Sequence, residues 1–433
     1  MYRLFEKKLQ SWKNGGMRKP LMVIGARKVG KTYTIKKFCE ENFDNYIYFN
    51  LATDREIKNI FEKKLNDKMI FERLELCLGR KIDPKNTVIV FDEIQVSKNF
   101  VSSLQYFSKS KNPYRIICTG NLLGVKMNRI SNACPCEKVK IEYMYPMNFE
   151  EFLIAIGKKS LSKQIKECYL KMSLMPELEH EEAFNLYRKY LCVGGLPESV
   201  NNLIESDLNM LSYSKNVISE IVDKYIGDMD NYVKSIIETK KLKKLYYNIP
   251  TQLITDNKDF RYNLIDEDGR KRKYEGPINW LLESNLILPS YEIENVKLPL
   301  NVSRDNFNLY LNDVGILTRV SHTNYTDVML NKKFKFRDAI VKNYVAEEFT
   351  TNGIPLYYWT HGKNARVDFF VYNSDGVIPV IVKSGGDVRT TGLNAYIREN
   401  HPPYVIRLAS TNFYFLHGIK SIPIYAAFCV KNK

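Results

Sequence analysis

Short apolar runs alternate with amphipathic stretches over the first 120 positions of the chain. The runs indicate buried strands, and the stretches carry apolar residues at the spacing of helices. The pattern predicts strands at 21–24, 46–51, 87–91 and 114–119, and helices at 2–12, 32–41, 55–80 and 100–108. Strands that alternate with helices are typical of a parallel sheet with crossover helices, so an α/β fold is predicted here.

The rest of the chain combines helical and mixed patterns. Residues 156–230 are predicted to be mainly helical, with a sharp turn at Gly194–Pro197. Short helical patterns fill 231–300, and strands are predicted near 355–360, 366–372 and 377–383. A chain of 433 residues is too long for one ordinary core, so about three domains are expected.

Composition places the chain among ordinary globular proteins. Hydrophobic residues make up 44% and charged residues 26%, which is normal for that class. No apolar run approaches the ~18 residues of a membrane helix, and the charged N-terminus has no apolar signal core, so we predict a cytoplasmic protein without membrane contact. The eight cysteines form no disulfide framework. Cys134 and Cys136 have no second pair or nearby histidine to complete a zinc site.

Positive charge is concentrated towards the N-terminus. The net charge is +16, and residues 1–155 hold 28 lysines and arginines against 17 acidic residues. A basic surface favours polyanions such as nucleic acid. A solvated lysine-rich surface explains the same charge, so nucleic-acid binding is one of two interpretations.

The sequence GARKVGKT at residues 25–32 fits the P-loop pattern G-x-x-x-x-G-K-[ST]. Its glycines let backbone N–H groups turn inward around phosphates, Lys31 can reach the β- and γ-phosphates, and Thr32 can bind Mg²⁺. A chance glycine turn is the alternative. A predicted strand precedes the motif and a predicted helix follows it, and this context favours a P-loop over a chance turn. The predicted nucleotide site consists of Gly25, Ala26, Arg27, Lys28, Val29, Gly30, Lys31, Thr32 and Tyr33.

An acidic pair follows the third predicted strand, in VIVFDEIQ at residues 88–95. Asp92 would hold the Mg²⁺ shell together with Thr32, and Glu93 would orient and activate the attacking water. An acidic N-cap after a strand is the alternative, which the P-loop upstream makes the weaker one. The pair therefore predicts hydrolysis of the nucleotide as well as binding.

The fourth predicted strand is followed by Gly120 and Asn121. At the carboxyl edge of a parallel sheet, a polar side chain there would lie between the two motifs and could hydrogen-bond the attacking water or the γ-phosphate. We assign that role to Asn121, and a plain turn residue is the alternative. Neither Arg129 nor Lys138, both downstream, is singled out as an arginine finger.

These residues resemble a known group of proteins. The chain is similar to prokaryotic AAA-family ATPases that carry a C-terminal domain of unknown function with a restriction-endonuclease-like, PD-(D/E)XK, core. The resemblance rests on GARKVGKT, FDEIQ, TGNLLG and YPMNFEEFL, and further on YLCVGGLPESV, NIPTQL, YEGPINWLLESNLI, LYLNDVGIL, YYW, VDFFV and IPIYAAF. It implies ATP as the nucleotide and places Asn121 at the sensor position of AAA+ ATPases.

The resemblance implies four regions. They are an AAA-type P-loop ATPase core at 1–155, a helical linker or lid at 156–230, a winged-helix-like domain at 231–300 and an α/β endonuclease-like domain at 301–433. A winged helix implies DNA binding, and the basic runs at 240–244 and 270–273 could contact phosphates; solvated basic faces are the alternative. AAA+ sites are usually completed by a neighbour's arginine, which argues for an oligomer, and a monomer stays open.

The endonuclease-like region departs from its family at the positions that cleavage needs. Such a nuclease requires acidic residues that bind Mg²⁺ and a lysine near the attacking water. The family's first acid is replaced by Lys342, its E-V-D-F reads Arg366-Val367-Asp368-Phe369, and its E-V-K reads Ile381-Val382-Lys383. Asp368 and Lys383 remain from that set, so we predict a domain that does not cleave nucleic acid.

Two functions of different classes follow from these features. The first is an ATP-hydrolysing AAA-type ATPase that couples its nucleotide state to the binding of nucleic acid or a protein partner. The second is a nucleotide-gated adaptor or sensor with little turnover. Glu93 favours the first, and the lost acids disfavour a third, an active ATP-coupled nuclease.

Overall fold

The computed structural model describes residues 1–15, 19–62, 66–107, 114–121, 139–233, 235–255, 259–296, 300–362, 365–385 and 391–432. They form two compact units, Met1–Tyr145 with Glu283–Leu286 and Pro146–Leu282 with Ile287–Lys433. Cys134, Cys136, Arg129 and Lys138 lie outside the described residues. Within the described ranges, no helix is both long enough and apolar enough to cross a membrane.

The first unit alternates strands and helices, as the sequence predicts. Its strands are β1 (Leu21–Ile24), β2 (Asn45–Asn50), β3 (Thr87–Asp92), β4 (Arg115–Thr119) and β5 (Lys140–Tyr143). Its helices are α1 (Phe5–Asn14), α2 (Lys31–Asn42), α3 (Arg55–Phe61), α4 (Asp67–Leu78) and α5 (Lys98–Phe107), with a short 3-10 helix at Ile94–Val96. The helical stretch predicted over 55–80 is therefore two helices, α3 and α4.

All five strands are parallel and lie in the order β2-β3-β4-β1-β5. Their carboxyl ends therefore meet at one edge of the sheet. β4 lies between β1, which leads into the P-loop, and β3, which ends at Asp92. The residues that follow β4 are thus placed between the two motifs, as expected from the sequence.

Burial explains which strands the apolar pattern reveals. Every residue of β1 and β3 is buried, so both strands are continuous apolar runs. β5 lies at the edge of the sheet, and its sequence KIEY is half-buried or exposed. It carries no apolar run, and for that reason the sequence pattern does not predict it.

The second unit begins with a long helical stretch. Its helices are α6 (Phe149–Ala155), α7 (Lys159–Lys171), α8 (Glu177–Val193), α9 (Pro197–Glu205), α10 (Asn216–Tyr232), α11 (Ile236–Leu253), α12 (Lys271–Glu283), α13 (Val314–Val320), α14 (Tyr325–Met329), α15 (Arg337–Thr351) and α16 (Thr391–Asn400). Short 3-10 helices cover Tyr262–Leu264 and Ile424–Cys429. The first of the helices starts with a capping box, in which the side chains of Asn148 and Glu151 each accept a backbone N–H of the other.

Two sheets complete the second unit. One has the order β7-β6-β8-β9 and the other, which is mixed, the order β10-β11-β12-β14-β13. The strands are β6 (Ile287–Asn295), β7 (Asn301–Leu311), β8 (Tyr357–His361), β9 (Ala365–Val367), β10 (Phe369–Asn373), β11 (Gly376–Val382), β12 (Val405–Ala409), β13 (Tyr414–Leu416) and β14 (Ile419–Pro423). The strands predicted near 355–383 are confirmed. The winged-helix-like and endonuclease-like assignments, and the boundaries at 155, 230 and 300, stay predictions.

The predicted turn at Gly194–Pro197 is a close contact between distant parts of the second unit. α8 ends at Val193 and α9 begins at Pro197. A Cβ on Gly194 would lie 2.0 Å from Oδ1 of Asp313, whose Oδ2 accepts the N–H of Gly195 at 2.7 Å. Side chains at this turn would therefore displace the buried Asp313 carboxylate.

Candidate nucleotide site

The P-loop joins β1 to α2 with a backbone that requires glycine at two positions. Gly30 has a φ of 95°, in the left-handed region that favours glycine. A Cβ on Gly25 would lie 2.2 Å from the carbonyl oxygen of Met144. α2 begins at Lys31, so the positive end of its dipole faces the loop. The backbone thus has the form of a phosphate-binding turn.

Lys31 folds back onto this loop. Its Nζ donates to the carbonyl oxygens of Gly25 at 2.9 Å and Ala26 at 2.8 Å. The side chain is buried, and burial lowers the pKa of the Lys31 ammonium to about 8, although Asp92 and Glu93 act in the opposite direction. Two carbonyl oxygens therefore hold the ammonium at the loop. In this position, phosphate oxygens can replace the carbonyl oxygens as acceptors of its hydrogen bonds.

Thr32 and Asp92 meet at the carboxyl edge of the sheet. The hydroxyl of Thr32 donates to Oδ2 of Asp92 at 2.7 Å, and the hydroxyl of Tyr48 donates to the same oxygen at 2.9 Å. Oδ1 of Asp92 accepts the backbone N–H of Glu93 at 2.8 Å. A hydroxyl and a carboxylate in direct contact form an oxygen donor pair that fits Mg²⁺. Tyr48 is a member of this site that the motifs do not predict.

Glu93 has a strained backbone and a carboxylate that accepts one hydrogen bond on each oxygen. Its φ of 54° lies in the left-handed region, which is uncommon for a residue other than glycine. Oε1 accepts a hydrogen bond from Nδ2 of Asn121 at 2.9 Å, and Oε2 accepts one from Nε2 of Gln95. Burial raises the pKa of the Glu93 carboxyl, an effect that the bond from Gln95 opposes. The predicted base is thus held on both oxygens by amide donors.

The family comparison agrees with this geometry. Residues 17–153 match a family described as an AAA domain. The N-terminal part of the chain is an AAA-type P-loop ATPase domain. Beyond the AAA domain, 184–327 and 337–427 match two families described as domains of unknown function, DUF8612 and DUF4143. The resemblance to AAA-family ATPases implied one C-terminal domain of unknown function. The two matches divide the C-terminal part of the chain between two such families.

Several solved structures align with the chain at low sequence identity. A Walker-type ATPase of Pyrococcus abyssi is 15% identical with a TM-score of 0.43, over 73% of this chain and 94% of that one. The ORC2 protein of Aeropyrum pernix, in ADPNP–ADP complexes, is 11% identical with a TM-score of 0.39, over 76% and 94%. A STAND protein of Pyrococcus horikoshii with a tetratricopeptide repeat sensor is 15% identical with a TM-score of 0.28, over 81% and 45%. No curated protein matches the chain.

The other predicted loop residues differ in exposure. Ala26 and Val29 are buried, Arg27 is half-buried, and Lys28 and Tyr33 are exposed. Arg27 contributes to the electrostatics of both Lys31 and Glu93. The exposed side chains stay predictions as nucleotide contacts.

A buried arginine supports the P-loop of the AAA domain from outside the motif. Nη1 of Arg3 donates to the carbonyl oxygen of Val29 at 2.5 Å, and Nη2 donates to that of Tyr145 at 2.7 Å. Arg3 is 3% exposed. A charged donor shared by two carbonyls fixes their separation. Nothing in the local sequence around Arg3 signals this role, because its partners lie 26 and 142 positions away.

Three of the residues predicted to be a remnant of a nuclease site, Lys342, Arg366 and Asp368, form an ion cluster in the second unit. Nζ of Lys342 lies 2.8 Å from Oδ1 of Asp368, and Nε of Arg366 lies 3.4 Å from the same oxygen. Burial alone would raise the pKa of the Asp368 carboxyl, but the two cations hold it below its ordinary value. Ile381 is buried in the core, and Lys383 lies at the wall of a separate cavity. Two cations thus lie against the carboxylate of Asp368, and among the described residues no group of acidic, histidine or cysteine side chains is arranged for a metal.

The two basic runs are largely paired with acidic side chains. Five of their lysines lie within 3.2 Å of a carboxylate oxygen, and they are Lys241 with Glu238, Lys243 with Asp230, Lys244 with Asp266, Lys271 with Asp305, and Lys273 with Asp266 and Asp268. These ion pairs reduce the positive potential that a phosphate backbone would meet. They favour the interpretation of solvated basic faces over that of a DNA-reading surface.

Proposed function

We propose that the chain binds Mg²⁺ and ATP at the P-loop, hydrolyses the ATP, and uses the nucleotide state to control binding to a nucleic acid or protein partner. The observation that carries this proposal is the hydrogen bond of 2.7 Å from Thr32 to Asp92. Next to it in the sequence, Glu93 accepts a hydrogen bond of 2.9 Å from Asn121. Four residues from three separate elements meet at one sheet edge. Such a convergence has a direct use in phosphoryl transfer, which depends on positioning and on charge stabilisation.

Each side chain has a defined task in this proposal. Lys31 exchanges its two loop carbonyls for phosphate oxygens, which keeps its ammonium hydrogen-bonded throughout. Thr32 and Asp92 would hold Mg²⁺, which neutralises charge on the phosphates when bound. Tyr48 orients Asp92 through its hydroxyl. Glu93 accepts a proton from, or orients, the attacking water.

The contacts of Glu93 favour slow turnover in the absence of a partner. Both of its oxygens accept amide hydrogens, from Asn121 and Gln95. Each bond occupies one acceptor site of the carboxylate and lowers its basicity, so water is activated more readily after one of the two bonds opens. This observation supports the second function as well, a nucleotide-gated sensor whose turnover rises when a partner changes the position of Asn121 or Gln95.

The test is the rate of ATP hydrolysis by the full chain, with and without DNA, RNA and cell-derived protein fractions. Lys31→Ala is expected to weaken binding of a fluorescent ATP analogue, and Glu93→Gln to retain binding while hydrolysis falls by about a hundredfold or more. Lys37→Ala and Glu41→Gln, on the same helix, are the matched controls. Parent-like hydrolysis in both Lys31→Ala and Glu93→Gln would exclude the proposed site.

We further propose that the second unit has no nuclease activity. Asp368 forms ion pairs with Lys342 and Arg366, so a divalent cation would have to displace two fixed positive charges. Incubation of the full chain with single- and double-stranded DNA and RNA, in Mg²⁺ and in Mn²⁺, is expected to leave every substrate intact. Cleavage that Asp368→Ala removes would contradict this.

A further inference from the structure

Gly120, the first residue after β4, lies against the side chain of Gln95. A Cβ on Gly120 would lie 2.1 Å from Oε1 of Gln95. Gly120 is not among the glycines with a positive φ, so its backbone conformation does not require glycine. We infer that Gly120 is a positioning residue of the nucleotide site, whose missing side chain lets the Gln95 amide reach Glu93. This role rests on the proposed function and adds to it one support for both amides that bond Glu93.

The Gln95 amide is held between two neighbours. Its Nε2 donates to Oε2 of Glu93, while Oε1 of the same amide lies against Gly120. The side chain is 4% exposed, and Oε1 has no hydrogen-bond partner among the described residues. A methyl group on Gly120 would displace Oε1. Because the amide is planar, Nε2 would move with it, and the bond to Glu93 would lengthen or break.

The end of the Gln95 side chain is the part that would give way. The nearest backbone atom to a Cβ on Gly120 is N of Ile94, at 3.2 Å, which is a tight contact that a small shift relieves. Oε1 of Gln95, at 2.1 Å, has to move much further and belongs to a flexible side chain. Replacement of Gly120 by alanine is therefore expected to displace the amide and to leave the strand in place.

Gly120 also provides a common support for the two amides. Asn121, the next residue, donates from Nδ2 to Oε1 of Glu93 at 2.9 Å. The backbone directly after β4 therefore carries one donor to the carboxylate and backs the other, that of Gln95. A shift of this backbone would act on both hydrogen bonds at once, and loss of either bond would make Glu93 more basic.

The end of β4 is in turn bonded to the strand that leads into the P-loop. The hydroxyl of Thr119 donates to the carbonyl oxygen of Val23 at 3.2 Å, and the two residues pair across the sheet. Val23 lies two residues before Gly25, where the loop begins. A nucleotide that moves the P-loop would thus act, through Thr119 and Gly120, on the carboxylate that we propose as the base.

The experiment measures ATP turnover by the full chain with Gly120→Ala, with Gln95→Ala and with both. Gly120→Ala alone is expected to raise basal turnover by about three- to tenfold, which corresponds to partial loss of a hydrogen bond to a charged group. In the Gln95→Ala background no amide is left to displace, and the same change is expected to alter turnover by less than about twofold. Gly227→Ala on α10 is the matched control, because a Cβ there would meet no atom within 4 Å outside its own helix.

The pH profile separates this positioning role from a general effect on the fold. Burial raises the pKa of the Glu93 carboxyl, and the bond from Gln95 opposes that rise. Loss of the bond is therefore expected to move the acidic limb of the pH–rate profile to higher pH, in Gly120→Ala and Gln95→Ala alike. The other charged groups that act on this carboxyl are unchanged in both variants, and they are Asp92, Lys31 and Arg27.

Equal effects of Gly120→Ala with and without the Gln95 amide would overturn the inference, and so would a Gly120→Ala chain with the turnover and pH profile of the parent. Parent-like hydrolysis by Glu93→Gln would instead overturn the proposed function, and this role with it. If Gly120→Ala is too unstable to assay, thermal unfolding of the double variant decides. Recovery of stability on adding Gln95→Ala is expected, and a double variant no more stable than Gly120→Ala would overturn the contact.

Discussion

Asn121 and Glu93 are joined by a hydrogen bond of 2.9 Å, from Nδ2 of the amide to Oε1 of the carboxylate. The two residues follow neighbouring parallel strands, β4 and β3. The amide that the sequence predicts to bond the attacking water or the γ-phosphate is thus bonded to the carboxylate that we propose as the base. In the proposed function, a γ-phosphate that attracted the amide would remove this bond from Oε1, which would couple the presence of the third phosphate to the basicity of Glu93.

Gln95→Leu tests whether the second amide restrains Glu93. The replacement removes the hydrogen bond to Oε2 of Glu93. It also removes Oε1 of Gln95, a buried oxygen that has no hydrogen-bond partner among the described residues. Because no other bond is lost, the fold is expected to persist. Basal ATP turnover is expected to rise about three- to tenfold, a fraction of the strength of a hydrogen bond to a charged group. Gln10→Leu, on the exposed side of α1, is the control. A lower turnover in Gln95→Leu would mean that Gln95 orients the carboxylate for catalysis.

Lys31 predicts how ATP affinity depends on pH. Burial lowers the pKa of its ammonium to about 8 in the nucleotide-free protein, whereas a bound phosphate favours the charged form. Above pH 8, binding therefore requires the uptake of a proton, and affinity is expected to fall by up to about tenfold per pH unit. Below pH 7 the lysine is charged in both the free and the nucleotide-bound protein. Its titration is therefore expected to make no contribution to the pH dependence of ATP affinity there.

The measurement is the dissociation constant of a fluorescent ATP analogue between pH 6.5 and 9.5, compared with that of Lys31→Arg. A guanidinium stays charged throughout this range, so the Arg variant is expected to bind with a constant, weaker affinity. The same slope in both proteins would assign the titration to another group.

Tyr48→Phe tests the orientation of the proposed metal ligand. The substitution removes the hydroxyl that donates to Oδ2 of Asp92 at 2.9 Å and leaves the ring in place. The rate of hydrolysis is expected to fall by about three- to tenfold at saturating ATP, with a higher Mg²⁺ concentration needed for half-maximal rate. Tyr46→Phe is the control, since the Tyr46 hydroxyl bonds instead to Glu40 at the surface. Identical Mg²⁺ dependence in the two variants would show that Asp92 is positioned without Tyr48.

The sequence predicts the parts of the site whose signals are local. Short sequence motifs contain four of these residues: the glycine-rich loop contains Lys31 and Thr32, and the acidic pair after an apolar strand is Asp92 and Glu93. Tyr48 has no such pattern; it lies two residues before Asn50, which pairs with Asp92 across the sheet, and that register is known only from the structure. The same is true of Arg3, whose acceptors lie far along the chain.

Gln95 is a partial exception, because it is two residues from Glu93. The contact depends on the left-handed backbone conformation of Glu93, which turns the chain so that the Gln95 amide faces the Glu93 carboxylate. The sequence does not indicate this conformation, so it does not predict the contact. In the second unit, the sequence identifies the loss of acids at Lys342 and Arg366, while the direct contact of both with Asp368 depends on packing between α15, β9 and the start of β10.

Glu348 predicts a pH dependence of stability in the second unit. Burial raises the pKa of its carboxyl to about 8, although Oε1 accepts the N–H of Phe149 at 2.7 Å. In the unfolded chain the same carboxyl has its ordinary pKa of 4.5, so folding takes up a proton between these two pH values. The free energy of unfolding is therefore expected to decrease as pH rises from about 5 to 8, by at most about 1.4 kcal/mol per pH unit from this group, and to level off above 8.

Glu348→Gln is expected to remove that part of the slope, which denaturant unfolding at pH 5, 6, 7 and 8 would measure. Asp313, whose pKa burial raises to about 6, adds a slope of the same sign at lower pH in both proteins, so the difference between variant and parent isolates Glu348. Glu167→Gln, at an exposed position of α7, is the control. A variant as pH-dependent as the parent would place the titration elsewhere.

Lys342→Met tests whether the remnant cluster is an ion pair that the fold needs. The change leaves the buried Asp368 carboxylate with one cation instead of two, and it is expected to lower the free energy of unfolding by about 3 kcal/mol. Lys332→Met, which removes an exposed pair with Asp327 at 3.6 Å, is expected to cost less than about 1 kcal/mol. Equal stability of the two variants would mean that Asp368 is neutral or solvated in the folded protein.

Arg3 has a consequence for how nucleotide binding is communicated. Its guanidinium holds the carbonyl of Val29, inside the P-loop, and the carbonyl of Tyr145, which ends the N-terminal segment of the first unit. A loop that shifts to admit a phosphate must either carry Tyr145 with it or stretch two short hydrogen bonds. One side chain thereby acts as a mechanical linkage between the phosphate-binding turn and the backbone by which the chain leaves the ATPase sheet.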